Sequence, residues 1–295
     1  PVIPEFSGTL DGQGHRITGM TVTGSGYLGL VGLLSSGGVV KELGLTDVNN
    51  VGSGNYVGAL AGYNEGGAVS ACYSTGSIRG SAYVGGLAGS DHKAAISTCY
   101  SEASVRGADT VGGLVGESTG STISVCHSTG IVSGRSYVGG LVGYNGSMIS
   151  GCYTTGSVDG NGVVGGLVAR NYGGGISTCY SMGSVTGSEY FAGGLVAMNN
   201  GEISDCYSRG SVHGRDYVGG LVGENGSMIS TCYSSGAVSG RDYVGGLVGG
   251  PKGYLGVVYS CFWDVETSGQ TASTRGTALA TAEMRTAKTF LDAGW

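Results

Sequence analysis

The seven residues Tyr83-Val84-Gly85-Gly86-Leu87-Ala88-Gly89 decide the fold, because close copies of them return throughout the chain. The first glycine of this motif falls at positions 29, 58, 85, 112, 139, 165, 193, 219 and 245, so the copies are 26 to 29 residues apart. A fixed period of this kind is typical of a solenoid, in which each repeat is one coil that needs its neighbours to bury an apolar face.

A second segment with the pattern Ile-Ser-x-Cys-Tyr-Ser follows the motif, as at Ile96-Ser97-Thr98-Cys99-Tyr100-Ser101. A turn pair such as Asn145-Gly146 or Asn225-Gly226 separates the two segments, and a short third segment such as Gly156-Ser157-Val158 closes the unit. All three are of strand length, rich in Val, Ile, Tyr and Ser, and bounded by glycine. A β-propeller is the rival repeat fold, but its blades need about 40 residues.

We therefore predict an all-β parallel β-helix, or β-solenoid, of nine to ten coils with three short strands per coil. Each strand would pair with its copies about 4.8 Å above and below, which gives a rod on the order of 50 Å long. The opening Phe6-Ser7-Gly8-Thr9-Leu10-Asp11-Gly12 resembles the first coil of right-handed parallel β-helices, and a right-handed winding is the expectation that follows.

The composition excludes several classes of partner. The 295 residues include 64 glycines and only three prolines, with 40% apolar and 12% charged residues, so the glycine serves tight corners rather than a disordered chain. The net charge is −6 without a run of Lys or Arg, which disfavours nucleic acid. No apolar stretch reaches the roughly 18 residues that membrane insertion requires.

The chain begins at Pro1 without a signal peptide, so we expect it to be a processed or trimmed piece.

Three segments are predicted along the chain. Residues 1–26 form an entry coil, residues 27–260 form the repeats, and residues 261–295 form a C-terminal cap. Within the cap, Phe262 and Trp263 are large enough to cover an open coil. A short helix is expected because four apolar residues follow helical spacing, with Thr281 as the N-cap: Ala280, Met284, Ala287 and Leu291.

The cysteines occur once per coil, at gaps of 26 to 29 residues. In a parallel stack they form a column whose Cβ vectors are parallel, a geometry that disfavours disulfides. A buried column of reduced thiols is therefore the main interpretation. A metal site is the alternative, but the paired C-x₂-C spacing of zinc ligands is missing. The column comprises Cys72, Cys99, Cys126, Cys152, Cys179, Cys206, Cys232 and Cys261.

The aromatic residues fall into two columns. If the cysteine points inward, the residue after it points outward, and the tyrosines there form a candidate surface for stacking on sugar rings or on a partner. The alternative is that these rings only stack on one another and stabilise the strands. This surface comprises Tyr73, Tyr100, Tyr153, Tyr180, Tyr207 and Tyr233, with His127 and Phe262 in the same column. The second column comprises Tyr27, Tyr56, Tyr83, Tyr137, Tyr217 and Tyr243.

The sequence offers little evidence of catalysis. None of the four histidines is followed by glutamate, so an H-E-x-x-H zinc helix is absent, and no cofactor or metal is expected. Asp216 and Asp242 occupy matching positions in adjacent coils, each after an arginine, Arg215 and Arg241. Paired carboxylates on a β-helix could serve a polysaccharide-degrading enzyme. Charged pairs on a solvated corner are the reading that we favour, and the chain is predicted not to be an enzyme.

The repeated Gly-Gly-Leu-Val-Gly, as at Gly112–Gly116 and Gly219–Gly223, resembles the GLUG motif, and so do the Cys-Tyr-Ser-x-Gly segments. GLUG repeats occur in large bacterial surface and secreted proteins, including some immunoglobulin-A-cleaving metallopeptidases. The resemblance implies an extracellular or cell-surface location and an accessory role. The repeats at Gly165 and Gly193 differ by ending in Ala169 and Ala197, which puts in doubt a strict need for glycine there.

Together these observations predict a structural or adhesive module: a rigid stalk or display rod that could also self-associate. A carbohydrate- or host-surface-binding module that uses the tyrosine surface is the alternative, with glycans or other surface proteins as partners. An enzyme on a β-helix is the third reading.

Overall fold

The computed structural model describes residues 1–250 and 256–295. About nine turns of roughly 27 residues stack into an all-β parallel solenoid, with a few short helices near the C-terminal end. Each strand pairs in parallel with its copy in the next coil, as Tyr73 does with Tyr100 and Tyr100 with His127. The predicted fold class and period are confirmed. The predicted repeat segment 27–260 includes residues 251–255, which lie outside the described residues.

Three parallel sheets run along the rod, and we call them sheets A, B and C. Sheet A contains Ile3–Phe6, Thr9–Asp11, Val31–Leu34, Val39–Lys41, Ala61–Glu65, Ala68–Ser70, Ala88–His92, Ala95–Ser97, Val115–Ser124, Val142–Ser150, Val168–Asn171, Ile176–Ser177, Val196–Asn199, Ile203–Ser204, Val222–Asn225, Met228–Ser230 and Val257–Tyr259.

Sheet B contains Arg16–Thr18, Thr21–Gly24, Gly44–Gly52, Tyr73–Arg79, Tyr100–Ser101, Ser104–Arg106, His127–Ser128, Val132–Gly134, Tyr153–Thr154, Val158–Gly160, Tyr180–Ser181, Val185–Gly187, Tyr207–Ser208, Val212–His213, Tyr233–Ser234, Val238–Ser239, Phe262–Asp264 and Thr277–Leu279. Sheet C contains Asn55–Val57, Ala82–Gly85, Thr110–Gly112, Tyr137–Gly139, Val163–Gly165, Phe191–Gly193, Asp216–Gly219 and Asp242–Gly245.

The corners of the coil fall inside the sequence motifs, so the prediction of one strand per segment was wrong. In the repeat at Thr110, the first three residues belong to sheet C, the chain bends at Gly113 and Leu114, and Val115 begins the strand in sheet A. Glycine is required at this bend because a Cβ on Gly112 would overlap the carbonyl oxygen of Val115. The motif therefore encodes a corner rather than a strand.

The Ile-Ser-x-Cys-Tyr-Ser segment also turns a corner, from sheet A to sheet B. The residue before the cysteine has a left-handed backbone even where it is β-branched, with φ of 54° at Thr98 and at Val125. The Asn-Gly pair, in contrast, is not a turn at Asn145-Gly146, because both residues lie inside the strand Val142–Ser150. One hydrophobic cluster fills the interior from Val22 to Trp263, so the coils share a single core.

The last coil is covered by side chains from the C-terminal segment. Trp263 is buried and lies where a side chain on Gly246 would be. The helices are α1 (Val265–Ser268), α2 (Thr281–Met284) and α3 (Ala287–Asp292). The predicted single helix is thus two short ones, and its N-cap is Ala280 rather than Thr281. The hydroxyl of Thr281 instead donates to the Asp264 carboxylate at 2.8 Å. Within the described residues, no helix has both the length and the apolar character that crossing a membrane requires.

Candidate functional site

One column of aromatic rings runs along the outer face of sheet B. The rings of neighbouring coils are parallel to within 8° and their centroids are 4.6 to 5.0 Å apart. The in-register pairing of sheet B sets this spacing, because each ring stands on the copy of the same residue. We call this set the tyrosine row: Tyr73, Tyr100, His127, Tyr153, Tyr180, Tyr207 and Tyr233.

The stacking decides which parts of the tyrosine row a partner can reach. Each interior ring, such as Tyr153 or Tyr180, has both faces against its neighbours. The rings are half-buried, so their edges and hydroxyls face the solvent. Burial raises the pKa of Tyr180, which keeps its hydroxyl a neutral hydrogen-bond donor. A ligand along the row would meet ring edges and hydroxyls rather than ring faces.

The row ends against the C-terminal cap. Arg209 donates from its Nη2 to the Tyr233 hydroxyl at 2.6 Å, and its guanidinium lies 5.1 Å from the centre of the Tyr207 ring. Phe262, the next residue of the column, is buried under Phe290 and Trp295. A cavity of about 530 Å³ lies at this end, lined by Tyr233, Phe290, Trp295 and Asp264 among others.

The second predicted column, on sheet C, is discontinuous. Tyr56 and Tyr83 stack at 4.8 Å, and so do Tyr217 and Tyr243. Between these pairs the column contains Thr110, Val163 and Phe191 in place of tyrosine. Sheet C therefore offers no continuous aromatic surface, unlike the tyrosine row.

The eight cysteines form one buried column at the corner between sheets A and B, and none is bonded to another. The backbone N–H of Cys99 donates to the sulfur of Cys126 at 3.4 Å, and the Cys126 thiol donates to the Ser124 carbonyl at 3.1 Å. The same pair of contacts recurs from coil to coil. Six of the eight sulfurs, from Cys99 to Cys232, thus accept a hydrogen bond from the buried backbone N–H of the preceding cysteine in the column.

The sequence did not predict a buried column of asparagines, and it assigned two of them, Asn145 and Asn225, to turns. The Nδ2 of Asn145 donates to Oδ1 of Asn171 at 2.8 Å, and Asn171 does the same to Asn199 at 2.9 Å. Asp91 occupies the position of Asn145 two coils earlier in the rod, and it is fully buried. The recurrence of a polar residue about every 27 residues, three residues after the Val or Ala of the repeated motif with which a sheet A strand begins, was the available signal.

The paired acids Asp216 and Asp242 are adjacent in sheet C and engage in ion pairs. Asp216 contacts Arg215 and Arg241 at 3.6 Å each, and Asp242 contacts Arg241 at 2.9 Å. Both arginines are exposed. This arrangement agrees with charged pairs on a solvated corner. Across residues 1–250 and 256–295, no cluster of His, Cys, Asp and Glu has a geometry suited to a metal ion.

The coil described above can be compared with known proteins. Residues 53–79, 134–159 and 214–239 match the family model of the GLUG motif. The chain carries GLUG motifs. Each matched segment begins just before a sheet C strand and ends in sheet B, so one GLUG match spans one coil. Ala169 and Ala197, at the variable last position of the motif, are buried without exposed area, and glycine is therefore not required there.

One solved structure shares the fold of the GLUG coils. It is a crystal structure described as that of a putative immunoglobulin A1 protease from Bacteroides ovatus, with a TM-score of 0.50 and 19% identity. The match covers 96% of this chain and 71% of that one. At this identity the likeness shows the fold alone. No curated protein matches the chain.

Proposed function

We propose that this chain is a rigid structural and adhesive module of an extracellular or cell-surface protein, and that it works without catalysing a reaction. The proposal rests mainly on the register of sheet B. One residue per coil pairs with its counterpart in the next coil, without a gap, from Thr23 to Ser239. Each coil is thereby fixed to the next by backbone hydrogen bonds and a shared core. Such a stack resists bending and keeps its two ends a set distance apart.

One observation supports the extracellular setting, and a second is compatible with it. The similar solved structure is described as that of a putative immunoglobulin A1 protease, and immunoglobulin A1 is a substrate found outside cells. The cysteines are at most 2% exposed, so external oxidants have little access to their thiols. Free thiols are uncommon in oxidising compartments, and burial of this kind is what allows them to persist there.

The rod can be tested by measuring one distance. Thr23 and Ser239 are exposed and occupy the same register position eight coils apart, so about 4.8 Å per coil predicts a separation of about 38 Å. Nitroxide labels on a Thr23→Cys, Ser239→Cys double variant should give one narrow distance distribution in pulsed electron resonance. The unsubstituted chain is the labelling control. A broad distribution, or one centred far from this value, would reject the rigid rod.

Adhesion is tested separately. Beads coated with the chain should attach to mammalian cells or to glycan-coated surfaces more strongly than beads coated with a globular protein of similar charge. Attachment no greater than this reference would reject the adhesive part of the proposal. The distance measurement would still stand, because the stalk role requires rigidity and no ligand.

The tyrosine row favours a second candidate function, recognition of glycans through ring edges and hydroxyls. A Tyr153→Phe, Tyr180→Phe variant removes two hydroxyls and keeps the stacking, so the coil should remain folded. Its matched control is Tyr217→Phe, Tyr243→Phe, a stacked pair on sheet C. Glycan-array binding that falls only in the first variant supports the row as the site. An equal signal from both variants and the unsubstituted chain would reject it.

A further inference from the structure

Three arginines line a groove at the corner between sheets B and C. The groove has a volume of about 670 Å³, and Arg79, Arg106 and Arg135 are its cationic side chains. Arg79 and Arg106 are register partners on adjacent strands, so their Cα atoms are about 4.8 Å apart along the rod. Arg135 follows in the next coil, immediately after the strand Val132–Gly134. Each of the three is exposed.

These guanidinium groups have no ionic partner among residues 1–250 and 256–295. The ion pairs there involve Lys41, Arg215, Arg241 and Lys288. Asp159 also lines the groove, and it forms no ion pair with Arg135. Like charges placed directly opposite each other on neighbouring strands destabilise a sheet. The arrangement therefore costs stability, in a chain whose net charge is −6.

Arginines elsewhere on the same corner form ion pairs. Paired and unpaired arginines can therefore be compared within one molecule. Arg135-Ser136-Tyr137-Val138-Gly139 corresponds to Arg215-Asp216-Tyr217-Val218-Gly219 and to the same five positions from Arg241. The later two coils supply an aspartate next to the arginine, and the ion pairs at Arg215 and Arg241 result. The coil of Arg135 has a serine instead. The unpaired positive charge at Arg135 is thus a local departure from the repeat.

We propose that this groove binds a linear acidic glycan, with its carboxylate or sulfate groups held by Arg79, Arg106 and Arg135. A guanidinium offers two parallel N–H donors that match the oxygens of either anion. The spacing of one cation per coil suits a polymer that repeats its charge along its length. Ser133 and Asn161 line the same groove and supply hydrogen-bonding groups for sugar hydroxyls.

The surroundings favour a glycan over other polyanions. A nucleic acid or a membrane is held by a broad positive field, and three cations on an acidic chain do not provide one. An acidic peptide commonly binds by adding a strand to a free sheet edge. The strands here have no free edge, because Ser104–Arg106 pairs with a strand on each side and so does Val132–Gly134. This site is separate from the tyrosine row and does not depend on it.

Binding to immobilised polygalacturonate and dextran sulfate tests the proposal, with neutral dextran as the blank. The Arg79→Gln, Arg106→Gln variant should lose about tenfold or more in affinity, since each charge-assisted contact is a strong one. The matched control is Arg215→Gln, Arg241→Gln, which removes the same charge from ion-paired positions. Its affinity should stay within about twofold of the unsubstituted chain.

The outcomes separate the alternatives. Binding of polygalacturonate alone identifies a uronate ligand and binding of dextran sulfate alone a sulfated one, and both support the site. Binding of neither polymer overturns the proposal, as does an equal loss in the control variant. Poly-glutamate bound as tightly as the glycans would also overturn it, since charge alone would then suffice.

A second measurement needs no substitution. Phenylglyoxal modifies accessible arginines, and mass spectrometry locates the products. The bound polymer should protect Arg79, Arg106 and Arg135 at least about threefold more than it protects Arg16, an exposed arginine in the first coil. Uniform protection of all four would contradict a defined groove. The distance test of the rod is independent of both measurements, so failure here leaves the structural role intact.

Discussion

The side-chain amide of Asn64 donates a 2.7 Å hydrogen bond to the buried carboxyl group of Asp91, one coil further along the rod. In later coils the equivalent bond joins two asparagines, as between Asn145 and Asn171. An amide can both accept and donate along such a column, whereas an ionised carboxylate only accepts. Asp91 is therefore an interruption of the column, and its protonation state affects stability.

The first prediction is that Asp91 makes the fold less stable as the pH rises. Burial raises the pKa of Asp91 to about 7, although hydrogen bonds from Ser121, Asn64 and Ser118 partly oppose it. The folded chain thus binds one more proton than the unfolded chain between about pH 4 and 7, so the free energy of unfolding falls through that window and levels off above it. Thermal melting at pH 5 and pH 8 should reveal the decrease.

Two substitutions make this prediction specific. Asp91→Asn removes the titratable carboxyl group and keeps an acceptor oxygen for the Asn64 amide, so it should raise the melting temperature at pH 8, with much less effect at pH 5. Asn145→Asp is the mirror variant, and it should lower the melting temperature more at pH 8 than at pH 5. An Asp91→Asn variant that kept the full pH dependence would assign the effect to other groups.

The second prediction concerns the corner glycine of the GLUG motif. A Cβ on Gly165 would overlap the carbonyl oxygen of Val168, so Gly165→Ala should destabilise the chain by more than about 3 kcal/mol or prevent folding. Ala169→Gly, four residues later in the same motif, removes one buried methyl group and should cost about 1 kcal/mol. Melting curves of the two variants compare them directly, and equal losses would show that the corner tolerates a side chain.

The third prediction is a stabilising substitution. Val125 has φ of 54° and its side chain is 62% exposed, so it bears left-handed strain and contributes little packing. The next coil has Gly151 at this position, with φ of 62°. Val125→Asn should therefore raise the free energy of unfolding by about 1 kcal/mol, because asparagine adopts this conformation more readily. A lower melting temperature in the variant would contradict the argument.

The fourth prediction concerns the thiols. Burial raises the pKa of Cys206 and of Cys232 well above the usual range, which suppresses the reactive thiolate. Because all eight thiols are at most 2% exposed, an aromatic disulfide reagent should modify essentially none of them in the folded chain and all eight in guanidinium. Rapid reaction of several thiols under native conditions would mean that the column is open to solvent.

The sequence predicted the fold well because the features that define it are periodic. The spacing of Cys99, Cys126 and Cys152 fixed both the coil length and the column in which these residues lie. The stacking of Tyr100 on its neighbours follows from the same register. The corners of the coil were harder to predict. Gly112 ends a strand because its backbone lies against the Val115 carbonyl, and no pattern of residue types reveals that contact.

The polar features were predicted least well. Asn145-Gly146 is a common turn pair, and only burial against Asn171 identifies the asparagine as part of the core. The groove of Arg79 and Arg106 depends on which charges lack partners, and this requires coordinates. The helix prediction failed at Thr281 for a similar reason, since the Asp264 carboxylate engages its hydroxyl and removes it from capping.

The uniform register of sheet B from Tyr153 to Tyr207 has a consequence for how the length of such a chain could evolve. Because Tyr153 contacts Tyr180 in the same way as Tyr180 contacts Tyr207, one coil can be duplicated or deleted without altering the junctions on either side. Each such event lengthens or shortens the molecule by about 4.8 Å. The length of the rod can therefore change in steps of one coil. Unequal recombination would produce such steps without any change in the contacts between neighbouring coils.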